Sequence, residues 1–224
     1  NSELSVGPLL AEQLETLAWA LADELRSDST RLERLVTCSN LVGMQLGQPR
    51  LSCVQSALLE LGRRLWRRPL SSSELDRLTQ LYLTVLGDSS THARYQESMT
   101  AVIAALLQAP DFVFRVDIGE PDPDSNMDTW RYTNFEMATR LSYFIWGMGP
   151  DEILLNAAET GELTTDEGLE QQAIRLLNTP QAAIHLSTFF DEFIGLGYLD
   201  TVSKNLDLFP FFNETLRQSM RTEI

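Results

Sequence analysis

The sequence predicts an all-α protein of many helices, arranged as two helical subdomains joined by an acidic Pro/Gly-rich linker. Three observations predict it. Apolar residues recur at i, i+3 or i+4 almost throughout the 224 residues. Ser, Thr, Asp and Pro stand at the offsets that open helices. One stretch, 117–129, has no apolar period and coincides with a change in charge. These give a subdomain over 1–116, a linker over 117–129 and a second subdomain over 130–224.

Each element has its own warrant. Pro8 precedes a stripe of Leu9, Leu10, Leu14, Leu17, Leu21 and Leu25, so a helix starts there with proline in its first turn. Arg31 to Val36 reads as a short helix. Val54 to Trp66 carries Leu58, Leu61 and Leu65 on one face and stops at Arg68-Pro69, because the residue before proline avoids the helical region. Ser71-Ser-Ser-Glu74 is a capping-box start for a helix ending near Gly87. Thr91 to Gln108 is a long helix, and Pro110 starts a turn with Phe112 to Phe114. Beyond the linker come Asn134 to Trp146, Asp151 to Ala158, Thr165 to Leu177 and Pro180 to Gly195. Asp151 and Glu152 in a first turn favour the helix dipole, and Thr164-Thr-Asp-Glu167 reads as a second capping box. An aromatic segment, Leu206 to Phe212, precedes a last helix from Asn213. No internal repeat is visible.

Composition narrows the partners. The net charge is −15, with about −2 on residues 1–115 and −13 on 116–224. Such a field repels phosphate backbones and anionic membrane surfaces, so nucleic acid is not an expected partner. No apolar run is long enough for a transmembrane segment. Cys38 and Cys53 are the only cysteines. The intervening Gly43, Gly47 and Pro49 suggest a flexible loop that can bring the sulfurs together, so a Cys38–Cys53 disulfide is expected; a pair of buried thiols is the alternative.

Candidate chemistry is sparse. Arg63, Arg64, Arg67 and Arg68 form two i, i+4 pairs. They read either as a carboxylate clamp for a partner or as internal bolts serving a helix end and an inter-subdomain contact. Asp122, Asp124, Asn126 and Asp128 alternate like the opening of a calcium loop, but Met127 stands where the turn wants Gly and Thr133 where a bidentate Glu belongs, so the metal reading is weak beside a solvated linker. His92 and His185 have no second ligand at metal spacing, and no phosphate loop, dinucleotide fingerprint or nucleophile elbow occurs. Phe189, Phe190 and Phe193 read as core. Phe209, Phe211 and Phe212 around Pro210 are either core or a docking patch. No catalytic residues are legible, and no cofactor is expected in this chain.

Two sets of motifs carry a resemblance. Leu61-Gly-Arg-Arg-Leu-Trp-Arg-Arg-Pro-Leu-Ser71 and Leu107-Gln-Ala-Pro-Asp-Phe-Val-Phe-Arg115 resemble the fifth of the bacterial planctomycete-specific domains, from about residue 52. Phe135-Glu-Met-Ala-Thr-Arg-Leu-Ser-Tyr-Phe-Ile-Trp146, Pro150-Asp-Glu152, Leu176-Leu-Asn-Thr-Pro180, Leu208-Phe-Pro210 and Met220-Arg-Thr-Glu223 resemble the fourth, here expected to be truncated. The resemblance implies domains of unknown function in large exported, periplasmic or cell-surface proteins, often associated with c-type cytochrome modules. It brings no catalytic residues, and any c-type haem would lie elsewhere in the full-length protein or in a partner. An oxidising compartment would favour the disulfide. The expected role is a structural or assembly module that positions a redox domain or partner subunit, with other segments of the same precursor or another subunit as partners. The alternative is a fragment of an enzyme or cytochrome-linked redox protein whose active site is completed outside this chain.

Overall fold

The structure, a computed structural model, describes residues 7–36, 51–88, 91–123, 128–205 and 207–222. Among these it contains eleven α-helices and one short antiparallel ribbon, so the fold is all-α. The chain divides into two compact units, Asn1–Glu136 and Met137–Ile224. No helix among the described residues is long and apolar enough to cross a membrane.

The first unit is organised around one central helix. Its elements are α1 (Pro8–Ser27), α2 (Ser29–Leu35), α3 (Leu51–Trp66), α4 (Ser72–Leu86), α5 (His92–Gln108) and α6 (Pro110–Val113). α5 packs against α1, α3, α4 and α6 and buries Met99, Val102, Ile103 and Leu106 among eight residues. A helix so enclosed also buries polar groups. Ser98 and Thr100 satisfy theirs by donating to the carbonyls of Arg94 and Gln96, at 2.7 and 2.8 Å. Tyr95 of α5 meets Tyr82 of α4 edge to face, with centroids 6.4 Å apart. Burial pushes the Tyr82 phenol up to about 12.

The packing of α1 departs from its sequence pattern. The leucine stripe of α1 is buried only in part: Leu10, Leu17 and Leu21 are exposed, Leu14 is half-buried and Leu25 packs against the core, while Ala18 and Ala22 are fully buried. The physical reason is backbone approach. α1 lies along α5, and a small-residue face lets two helices come close where leucines would hold them apart. A similar close approach fixes Gly62 in α3. A Cβ there would collide with the side chain of Leu70, which is packed over the helix.

The ribbon pairs β1 (Glu120–Pro121) with β2 (Trp130–Arg131). Both strands fall within or beside the stretch read as a linker. Its far end is tied down by the start of α7 (Asn134–Trp146). The Glu136 carboxylate accepts from the N–H groups of Ile118, Gly119 and Thr133, at 2.7, 2.9 and 2.7 Å, and the Thr133 hydroxyl accepts from Glu136 N–H at 3.2 Å. This reciprocal pair is a capping box. Burial acts to raise the Glu136 pKa, but these hydrogen bonds outweigh it and hold the carboxyl below its usual range.

The second unit contains α8 (Glu152–Glu159), α9 (Asp166–Leu177), α10 (Pro180–Ile194) and α11 (Glu214–Thr222), with 3-10 turns at Glu162–Thr164 and Leu196–Asp200. Leu154, Leu155, Leu163 and Leu176 are its best-buried large side chains. Leu163 sits on the turn that packs against both α8 and α9. That turn takes up Thr164, so Thr165, not Thr164, caps α9, accepting from Gly168 N–H at 3.1 Å.

Candidate functional site

The arginine cluster separates into distinct roles. Arg64 projects to solvent and pairs with Glu60 one turn earlier, at 2.9 Å. Arg63 lies half-buried on the same helix. Arg67 follows the end of α3 in the left-handed region, at φ 61°, and is only 6% exposed. Its guanidinium is turned to carbonyl oxygens. It donates to Leu65 O at 3.1 Å, Phe112 O at 3.4 Å and Phe114 O at 2.9 Å, and also to Asp111 O. A buried cation thus gathers the unsatisfied carbonyls at the C-terminal ends of α3 and α6.

Arg68 takes the carboxylates. It reaches both oxygens of Glu74, at 3.0 and 2.8 Å, and Asp111 Oδ1 at 2.6 Å. Glu74 is the third residue of α4 and closes the capping box with Ser71, so one carboxylate serves helix and arginine together. The bond from Arg68 is the main cause that holds Glu74 down at about 2, against its burial. The same contacts push Arg68 up. The guanidinium lies over the Trp66 ring, 5.5 Å from its centroid, and the Trp66 indole N–H donates to Leu106 O at 3.1 Å. The motif ending at Ser71 and the motif starting at Leu107 are therefore joined in space by one network, which we call the first clamp.

The second unit contains a counterpart. Trp146 ends α7, and its indole N–H is shared between Leu176 O at 3.0 Å and Thr179 Oγ1 at 2.7 Å. Arg175 lies over that ring, 5.8 Å from its centroid. Its two terminal nitrogens reach the two oxygens of Asp151 at 2.8 and 2.9 Å. Asp151 caps α8 through Leu154 N–H at 2.9 Å. The turn after Trp146 depends on Gly147, at φ 70°, where a Cβ would also collide with the His185 ring. His185 is thereby a packing neighbour of the second clamp, and His92 stacks obliquely on Tyr95 at 5.9 Å.

The phenylalanines are the second feature. Phe189, Phe190 and Phe193, expected in the core, are exposed; Phe193 is 75% exposed. Phe189 and Phe193 stack on each other, with centroids 5.7 Å apart. α10 buries only Ala182, and Ile184, Leu186 and Ile194 are also exposed. The expectation fails because helical periodicity shows that a face is apolar but not that anything covers it. Phe209 and Phe211 are exposed as well, at 53% and 82%, and Lys204 lies over the Phe209 ring at 5.6 Å. Phe212 is half-buried beneath Arg217, at 5.2 Å.

The remaining candidates are placed as follows. Asp124 and Asn126 of the weak calcium loop lie outside the described residues, while Asp122 and Asp128 flank that gap. Thr133 serves as the α7 cap. Among the described residues, no three His, Cys, Asp or Glu side chains form a metal-sized group. Cys53 packs against the first unit's core, but Cys38 lies outside the described residues, and so does the expected pairing.

Comparison with known proteins agrees with the motifs. Residues 53–117 match PSD5, a protein of unknown function (DUF1595). Residues 132–224 match PSD4, a protein of unknown function (DUF1592). No curated protein and no solved structure matches significantly. In the order that the motifs predict, the chain carries a PSD5 match followed by a PSD4 match, two families whose function is unknown.

Proposed function

We propose that this chain is a structural assembly module of a larger exported bacterial protein, positioning a redox domain or a partner subunit. The observation that carries the reading is the apolar face of α10, with Phe189 and Phe193 stacked in solvent beside helices whose ends are held by the second clamp. Apolar side chains that are fixed in place yet uncovered favour association, because little ordering cost remains to be met on binding. Neither clamp places a nucleophile beside a base; each joins an arginine, a tryptophan and carboxylates that already cap helices. The partner is another segment of the same precursor or a separate subunit, and a c-type haem, where present, belongs to that partner.

Hydrogen exchange tests the reading. It is measured on the isolated 224-residue chain and on the native protein purified with everything that accompanies it. An absorbance spectrum for haem and intact masses of all chains are recorded on the same sample. The expected result is α10 amides that exchange quickly in the isolated chain and slowly in the native protein. Equal exchange in both would remove the assembly role. Turnover of a defined substrate by the isolated chain, lost on one substitution within it, would replace that role with an enzyme.

A further inference from the structure

We draw no further inference here: the strongest candidate, the exposed apolar face of α10 with the Leu208–Phe211 segment that follows it, is uncovered among the described residues and nothing in the structure shows what covers it.

Discussion

In the first unit Trp66 closes α3 and gives its indole N–H to Leu106 O; in the second, Trp146 closes α7 and gives its own to Leu176 O. Both rings lie beneath an arginine, and both arginines reach a carboxylate that opens a neighbouring helix. The helix ends are thus fastened alike. The helix faces are not. α5 buries eight residues, and α10 buries one. A hydrogen bond of this kind is worth about 1 kcal/mol net, and up to about 3 kcal/mol when charged. Fully burying a Phe, Ile or Leu side chain is worth about 1.5–3 kcal/mol, and α10 leaves six of them exposed. The clamps therefore fix geometry in both units, but among the described residues α5 also collects the larger hydrophobic term and α10 does not.

The largest test of this contrast is Arg67. Replacing it by Met keeps the bulk of the stem but removes every bond to the carbonyls of Leu65, Asp111, Phe112 and Phe114. We expect a loss of about 3 kcal/mol in urea unfolding, since buried acceptors are left without donors. Arg67→Lys should recover only part of it, because an ammonium lacks the planar fork. A loss below about 1 kcal/mol would mean that Arg67 does not organise the end of α6.

Next come the two tryptophans. Trp146→Phe deprives two acceptors and Trp66→Phe one, so the former should cost about 1–2 kcal/mol and the latter about 1 kcal/mol. Chemical unfolding of both variants decides the order. Equal or reversed costs would break the parallel between the clamps.

Acid separates the units in another way. Glu74 is held at about 2 in the folded chain, below its ordinary value of 4.5. Its contribution is present above pH 4.5 and is lost as pH falls from there towards 2. The first unit should therefore weaken over that window. Glu74→Gln should flatten the stability profile there while lowering stability at neutral pH. An unchanged slope between pH 4.5 and 2 would show that other carboxylates carry the acid response.

The sequence carried local structure well and long-range structure poorly. Ser71 caps α4 and Asp151 opens α8 where the sequence places them, and the cap of α9 falls one residue later than its spacing suggests, at Thr165, since capping is decided within four residues. The box at Thr133 and Glu136 has the same Thr-x-x-Glu spacing and is equally legible in sequence, although Thr133 also stands at the end of the calcium-loop pattern. The two clamps were not legible, because Trp66 and Trp146 bond to main-chain carbonyls 40 and 30 residues away, and a carbonyl leaves no mark on residue type. Among the arginines, the sequence could not separate Arg67, which serves carbonyls, from Arg68, which serves carboxylates. The left-handed backbone at Arg67, just past the end of α3, separates the two. The leucine stripe of α1 and the phenylalanines of α10 show the same limit: period gives a face, and packing decides which face is used.

The smallest expected effect is the most discriminating for function. Phe193 is 75% exposed and stacks on its neighbour Phe189 in α10. Removing a buried phenylalanine costs about 3–5 kcal/mol, whereas an exposed surface change stays within about 0.5 kcal/mol. Phe193→Ser in the isolated chain should therefore leave the urea midpoint almost unmoved and reduce binding of a hydrophobic dye such as ANS. On the proposed assembly role, the same substitution in the native protein should destabilise it by more than in the isolated chain. Two outcomes would defeat this. A loss above about 2 kcal/mol in the isolated chain would mean that α10 already packs its aromatic face within this chain. An equally small loss in the native protein would mean that nothing docks on Phe193, and the proposed docking role of α10 would end there.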